Sequence, residues 1–173
     1  MDDLNFSALY QRYAGDVYRF SLYLSGNFAL AEDIAAETFA RAWVVRERIR
    51  VGSVKAYLLM IARNLYRDAG RRRAETGLPE NFDVADDTPG PAASTEARDE
   101  LRRVLAALGR LPVHEREVLL MATVEGLTHQ AIAVALDLSV NAVKVRVHRA
   151  RVHLTEIRGG MESNHVYYTT GRP

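Results

Sequence analysis

The sequence predicts an all-α fold of two small helical modules joined by a flexible acidic linker. Apolar residues recur at helical spacing along most of the chain, and no segment shows the alternating pattern of a strand. Residues 76–97 break this spacing and contain three of the five prolines, five acidic residues and no Lys or Arg. The modules therefore cover residues 1–75 and 98–158. The tail, residues 159–173, begins with a glycine pair that is predicted to stop a helix, and we expect it to be disordered or to become ordered on a partner.

The N-terminal module is predicted to contain three helices. Stripes of apolar residues at helical spacing cover residues 6–24, 30–43 and 58–69. The pair Gly26-Asn27 separates the first two stripes, and the third is predicted to end near Gly70.

The C-terminal module is predicted to begin with two helices. Gly109 stops the first, Pro112 suits the first turn of the second, and Gly126 ends it. Two short helices then follow within residues 128–154, joined by a tight turn at Asp137-Leu138. This succession is typical of a helix-turn-helix.

Local chemistry supports the helix-turn-helix. Thr128 and Ser139 are predicted N-caps of its two helices, because a hydroxyl can accept a hydrogen bond from a free backbone N–H. Asp137 tolerates the left-handed backbone that such turns often need.

The second helix of this pair has two chemically different faces. One carries apolar residues at helical spacing, namely Val143, Val147, Ala150 and Leu154. The other face is basic: Lys144, His148 and Arg151 line it, and Arg146 and Arg149 flank it. Such a helix can rest on a domain and enter a DNA major groove, although a solvated charged face is the common alternative.

Basic residues are concentrated in a second place, between residues 46 and 73, where nine Lys or Arg side chains face only two acids. The formal net charge of +1 hides this segregation, which bears on binding rather than on fold. Residues of this segment that suit phosphates and base edges are Arg46, Arg48, Arg50, Lys55, Arg63, Asn64, Arg67 and Arg71. The segment therefore predicts a second contact with DNA.

An acidic face on the second predicted helix points to a different partner. Glu32, Asp33 and Glu37 lie away from the apolar stripe of that helix. Carboxylates are repelled by DNA, so an acidic surface inside a basic module favours a protein partner, with a merely solubilising face as the alternative.

Several classes of function find no support in the sequence. The chain has no cysteine, and its five histidines do not follow a metal-ligand spacing. Phosphate-binding loops and nucleophile motifs are absent as well. We therefore expect no catalytic residues, no metal and no cofactor. No apolar run is long enough for a membrane span and the N-terminus is acidic, so we expect a cytoplasmic protein without membrane insertion.

Four segments together resemble bacterial RNA polymerase sigma factors of the extracytoplasmic-function (ECF) group of the sigma-70 family. They are AEDIAAETFARAW (31–43), YLLMIARNLYRDAGRRR (57–73), LGRLPVHEREVLLM (108–121) and GLTHQAIAVALDLSVNAVKVRVHRARVHL (126–154). The resemblance covers nearly the whole chain up to Ile157, and the four segments follow one another in the order found in that family. Two differences from the usual pattern lie in the helix-turn-helix, where Asp137 replaces a glycine and Ala131 replaces a capping glutamate.

The resemblance implies a role for each predicted surface. Glu32, Asp33 and Glu37 would dock on a coiled coil of the largest polymerase subunit, and the flap would be a further contact. Residues 46–55 would capture a flipped base, and Arg63, Asn64 and Arg67 would lie along the minus-10 element. The helix-turn-helix would read the minus-35 element, and the residues approaching its major groove and phosphates would be Ser139, Asn141, Lys144, Arg146, His148 and Arg149. Core RNA polymerase and promoter DNA are thus the implied partners, with an anti-sigma factor as an additional one.

Two other functions fit part of the sequence. A stand-alone helix-turn-helix regulator would use the N-terminal module for dimerisation or sensing, but it would need neither the acidic face nor the second basic segment. A helical adaptor that never touches DNA would not need the basic helix. The leading interpretation is a non-catalytic promoter-recognition subunit of RNA polymerase.

Overall fold

A computed structural model describes residues 6–45, 53–77 and 95–169, with side chains described up to residue 160. This part of the chain contains helices and turns and no strand. Its seven α-helices are α1 (Phe6–Ser25), α2 (Phe28–Val44), α3 (Val54–Glu75), α4 (Thr95–Gly109), α5 (Val113–Leu119), α6 (His129–Leu136) and α7 (Val140–Thr169). The predicted all-α class is confirmed.

Helices α1, α2 and α3 pack on one another and form the N-terminal module. Gly26 adopts a φ of 67°, which lets the chain reverse after α1. The Asn27 side chain then caps α2 by accepting a hydrogen bond of 2.8 Å from the N–H of Leu30. Ser53 caps α3 in the same way, at 3.1 Å from the N–H of Ala56. The predicted break at Gly26-Asn27 is therefore confirmed.

The C-terminal module contains α4 to α7. A π-helical turn, Leu120–Val124, continues α5, and Gly126 follows it with a φ of 68°. The predicted helix end near Gly126 is thus confirmed, and the helix-turn-helix of α6 and α7 follows directly.

The local chemistry predicted for the helix-turn-helix is confirmed. The Thr128 hydroxyl accepts from the N–H of Ala131 at 3.1 Å, and the Ser139 hydroxyl accepts from the N–H of Ala142 at 3.0 Å. Asp137 is the single non-glycine residue with a positive φ in the described ranges, at φ 53° and ψ 51°.

Two predicted helix ends are wrong. Helix α3 passes through Gly70, and α7 passes through Gly159 and Gly160 as far as Thr169, where the sequence predicted a disordered tail. None of these three glycines has the positive φ that a helix-ending glycine adopts. A glycine within a helix costs only about 1 kcal/mol relative to alanine, which good helix formers on both sides can offset. Helix α3 ends instead at Glu75, two residues before Gly77, whose φ is 70°.

The linker is also shorter than predicted. Helix α4 begins at Thr95, so the last three residues of the predicted linker 76–97 are helical. Glu96 lies in the first turn of α4, where its charge complements the helix dipole. Residues 78–94 lie outside the described residues.

The two modules are packed against each other, a contact that the sequence did not predict. Helix α1 contacts α4, α5 and the π-helical turn, and α3 contacts α6. Leu105 of α4 is completely buried in a small apolar cluster with Leu22 and Ala31 of the N-terminal module. The Arg116 guanidinium is also buried in this contact, and its Nη1 donates to the backbone carbonyl of Leu24 at 2.7 Å.

Candidate nucleic-acid interface

The second helix of the helix-turn-helix presents a free polar face to solvent. Val143, Val147 and Ala150 are buried, so they fix the rotation of α7 on its module. The predicted DNA-binding residues lie on the opposite side of the helix. Five of them are exposed, namely Ser139, Asn141, Lys144, His148 and Arg149, and Arg146 is half-buried. The face is therefore accessible to a double helix while the two modules are in contact.

The basic residues of α3 are placed differently from one another. Asn64 and Arg71 are exposed, and Arg71 pairs with Asp68 one turn earlier on the same helix. Arg63, Arg67 and Lys55 instead point towards the C-terminal module, where acidic residues meet them. The predicted face is thus divided between a solvent-exposed part and a part that lies in the contact between modules.

Glu117 of α5 accounts for two of these contacts. Its carboxylate is completely buried and accepts two hydrogen bonds from Arg67, at 2.6 Å from Nε and 2.8 Å from Nη2. The Nε atom of Arg63 lies 3.1 Å from the same carboxylate. The hydrogen bonds to Glu117 raise the pKa of Arg67 above its ordinary value, more than burial lowers it. Two guanidinium groups of α3 therefore meet one carboxylate of α5.

Glu125, just after the π-helical turn, accounts for the third contact. Its buried carboxylate lies 2.9 Å from the Lys55 Nζ and accepts hydrogen bonds of 3.0 and 2.9 Å from Arg19 of α1. Asp16 of α1 completes a four-membered cluster, at 2.9 Å from both Lys55 and Arg19. Two carboxylates and two cations thus neutralise one another between the modules.

The protonation of this cluster follows from its geometry. Burial by itself would raise the pKa of Asp16, but the neighbouring Lys55 and Arg19 outweigh it and hold the pKa below 3.8. Burial lowers the pKa of Lys55, yet its contacts with Asp16 and Glu125 outweigh that effect and raise it above 10.5. Asp16 and Lys55 are therefore both charged across the neutral pH range.

The acidic face of α2 is exposed as a whole. Glu32, Asp33 and Glu37 are all open to solvent, while Ile34 is buried on the other side of the helix. Arg41 donates from Nε to Glu37 at 2.7 Å, an exposed pair of the kind that contributes little to stability. The face is available for a partner in this arrangement.

Some predicted residues lie outside what the structure describes, and some residues of the contact between the modules were not predicted. Arg46, Arg48 and Arg50 fall in the range 46–52, outside the described residues. The sequence prediction did not include Glu117, Glu125, Asp16 or Arg19. The sequence did contain a signal for Glu117, which stands directly before the apolar run VLLM. A carboxylate buried there without a partner would be costly, so a cationic partner could have been predicted.

A groove of about 870 Å³ lies between the modules, beside the end of α3. Several arginines line it, among them Arg41, Arg67, Arg71, Arg73 and Arg116. Among the described residues no three His, Asp or Glu side chains come together as a metal site would require. None of the described helices is long and apolar enough to cross a bilayer.

Comparison with known families identifies both modules. Sigma-70 region 2 matches residues 9–76, and Sigma-70 region 4 matches residues 101–154. The RNA polymerase sigma factor CarQ of Myxococcus xanthus is 34% identical over 160 residues, which cover 91% of each chain. The chain belongs to the ECF group of the sigma-70 family.

Other relatives agree with this assignment. The ECF RNA polymerase sigma factor SigE of Mycolicibacterium smegmatis is 32% identical over 152 residues, and the match spans 86% of this chain but only 59% of that relative. The sigma factor CnrH of Cupriavidus metallidurans is 35% identical over 137 residues, with 73% and 72% of the two chains covered. The resemblance inferred from the sequence is confirmed.

Two solved structures resemble this sigma factor over both modules. The sigma factor RpoE of Bartonella quintana, crystallised with the anti-sigma factor NepR, has a TM-score of 0.75 at 25% identity, with 90% of this chain and 97% of that chain covered. CnrH in complex with the cytosolic domain of CnrY has a TM-score of 0.69 at 26% identity, with 90% and 88% covered. Both structures show a sigma factor in complex with another protein.

Proposed function

We propose that this sigma factor binds core RNA polymerase and directs it to promoters whose two elements are read by its two modules. The helix-turn-helix recognises the minus-35 element, and the N-terminal module recognises and melts the minus-10 element. The observation that carries the proposal is the exposed cationic face of α7, held by a buried apolar face within a chain of this family. The chain supplies specificity and no catalysis of its own.

Within the helix-turn-helix, the residues divide by position along α7. Ser139 and Asn141 lie at the start of the helix, the end that approaches base edges in this motif. Lys144 and His148 follow on the same exposed side, and Arg146 and Arg149 flank them where phosphates would run. Together they form the proposed minus-35 surface.

Within the N-terminal module, α3 provides the proposed minus-10 surface. Arg63, Asn64, Arg67 and Arg71 would lie along the DNA, and Lys55 would join Arg46, Arg48 and Arg50 around a flipped base. Arginine suits this role because its planar guanidinium can make paired hydrogen bonds to phosphates and bases. The exposed Asn64 and Arg71 are accessible without any rearrangement of the modules.

The acidic face of α2 is the proposed docking surface for polymerase. Glu32, Asp33 and Glu37 are exposed and lie on one side of the helix, away from the buried Ile34. The expected partner surface is a coiled coil of the largest polymerase subunit, with the flap as a second contact for the C-terminal module. Since polymerase and promoter DNA are cytoplasmic in bacteria, the protein would act there.

An anti-sigma factor is a further proposed partner. Its support is that RpoE and CnrH, whose structures resemble this one over both modules, were each solved with a bound partner. A protein that copurifies with this chain should then inhibit transcription by the reconstituted holoenzyme in proportion to its concentration. A copurifying protein without this effect would not be an anti-sigma factor.

Reconstituted transcription tests the proposed function. The purified chain is mixed with core RNA polymerase free of any sigma factor, genomic promoter fragments are added, and run-off transcripts are mapped. Transcripts from defined starts that are absent with core polymerase alone would support the proposal. Binding of DNA without binding of polymerase would contradict it and favour a stand-alone regulator.

A further inference from the structure

The centre of the exposed face of α7 is apolar. Val145 is 40% exposed, although the residues two positions away on each side, Val143 and Val147, are buried. Two residues of an α-helix span about 200°, so the Val145 side chain points almost directly away from the core of its module. It also lies within the first two turns of α7, the part of such a helix that meets base edges in the major groove.

Polar and cationic side chains surround this valine. Asn141 lies one turn before it, and His148 and Arg149 lie one turn after it, all of them exposed. A single exposed valine is common on protein surfaces. This one is framed by three of the residues assigned above to the minus-35 surface, so DNA bound by them would cover it.

The chemistry of the side chain selects one of the four bases. Valine has no hydrogen-bond donor or acceptor, so the N7 and O6 of a purine or the amino group of cytosine would lose water without gaining a partner. Thymine instead presents its C5-methyl group in the major groove, and an apolar side chain can pack on it. Valine has one strongly preferred χ1 rotamer in a helix, so it loses little side-chain freedom in such a contact.

We propose that Val145 is a specificity-determining residue of the helix-turn-helix and packs on the C5-methyl group of a thymine in the minus-35 element. This role rests on the proposed function for the identity of the element. Asn141, His148 and Arg149 supply the polar contacts around it. Because the methyl group itself is recognised, 5-methylcytosine fits the same contact and unmodified cytosine does not.

Removal of one methyl group from the DNA tests the contact. The probe is a duplex with the minus-35 element of a promoter mapped by run-off transcription or, where no defined start is found, a duplex selected by the full chain from a random pool. Each thymine is replaced in turn by deoxyuridine, which keeps the hydrogen-bonding groups and lacks only the methyl. At one position the natural chain should bind about fourfold more weakly, as expected for one buried methyl group.

Val145→Ala shows whether this loss depends on the valine. The variant should bind the thymine duplex about fourfold more weakly than the natural chain and should bind the thymine and deoxyuridine duplexes about equally. Alanine is the better helix former, so thermal melting should show no loss of stability. Val152→Ala is the matched control, because Val152 is 42% exposed on the same side of α7 but lies two turns further along. It should keep the full discrimination.

A modified cytosine tests the methyl group in a different base pair. Replacement of the sensitive T·A pair by C·G removes the methyl together with the thymine edge. Methylation of that cytosine at C5 should then raise the affinity of the natural chain by about fourfold and leave that of Val145→Ala unchanged.

The outcomes separate this role from the proposed function. Equal affinity of the natural chain for the thymine duplex and every deoxyuridine derivative would overturn the role of Val145, as would an equal loss in Val145→Ala. Defined run-off transcripts in either case would leave the proposed function standing. A holoenzyme without defined transcripts would contradict the proposed function, and the selected duplex would still decide the role of Val145. A chain that binds no duplex would overturn both.

Discussion

Arg67 of α3 and Glu117 of α5, 50 positions apart in the sequence, form a two-point ion pair with distances of 2.6 and 2.8 Å. The carboxylate is completely buried, whereas 40% of the arginine side chain remains exposed. The pair therefore joins the N-terminal and C-terminal modules of the sigma factor through a buried carboxylate.

Removal of the Glu117 carboxylate should therefore destabilise the folded chain. In Glu117→Ala, Arg63 and Arg67 lose their common partner in a contact from which water is largely excluded. We expect a loss of about 1–2 kcal/mol in the free energy of unfolding, less than for a fully buried pair because Arg67 can still reach water. Urea denaturation followed by circular dichroism measures it, with Glu156→Ala at an exposed site of α7 as the control. Equal stability of the two variants would contradict the assignment.

The Asp16 cluster predicts a dependence of stability on pH. The pKa of Asp16 in the folded chain lies below its ordinary 3.8, because Lys55 and Arg19 outweigh the effect of burial. Its contribution to stability is therefore complete above the unfolded pKa and is lost as the pH falls through the folded pKa. Asp16→Asn should melt at a lower temperature than the natural chain at pH 7, and the difference should shrink below about pH 4. Thermal melting at a series of pH values tests this, and a constant difference would exclude it.

The turn of the helix-turn-helix offers a stabilising substitution. Asp137 adopts a left-handed conformation, with φ 53°, that glycine enters without strain. Asp137→Gly should raise the free energy of unfolding by about 0.5 kcal/mol, a small gain because Asp tolerates this conformation better than most residues. Gly126→Ala should have the opposite effect. The added methyl group has no atom within 4 Å, so the only source of strain is the φ of 68°, which alanine rarely adopts. It should lower stability by about 1 kcal/mol. If thermal melting showed that Asp137→Gly lowers stability and Gly126→Ala raises it, the backbone argument would be refuted.

The sequence predicted the local features of this fold well, because they depend on neighbouring residues. The caps at Thr128 and Ser139 and the turn at Asp137 each involve atoms within a few positions of one another. The buried face of α7 followed from helical spacing alone. Glycine was a weaker signal, since Gly70 lies inside α3 without a positive φ.

The contact between the modules could not be predicted in this way. Arg19 and Glu125 lie 106 positions apart, and no periodic pattern relates two residues at that separation. The flexible linker composition of residues 76–97 suggested independent modules, and a surplus of basic residues on α3 suggested an open surface. Only the fold shows that acids of the second module meet those bases.

The minus-35 surface leads to a prediction about salt. Lys144 and Arg149 are exposed on α7, and each is proposed to contact DNA. Lys144→Ala and Arg149→Ala should each weaken binding to the minus-35 duplex and lower the slope of log affinity against log salt by about 1, as expected for one lost phosphate contact. Arg103→Ala removes an equally exposed charge from α4 and should leave the slope unchanged. Fluorescence anisotropy at several salt concentrations gives the slopes, and equal slopes for all three variants would count against this face.

The acidic face of α2 predicts a loss of polymerase binding on charge reversal. Asp33→Lys combined with Glu37→Lys replaces two exposed carboxylates by ammonium groups, so an attractive contact with a basic partner surface becomes repulsive. The fold should survive, because the pair lost with Arg41 is exposed and such helical pairs contribute only about 0.3–0.5 kcal/mol. The same reversal at Glu96 and Glu100 of α4 is the charge-matched control and should retain binding. Size-exclusion chromatography with core polymerase measures the association. Retained binding by the α2 variant, or its loss in the control, would show that overall charge and not this face governs docking.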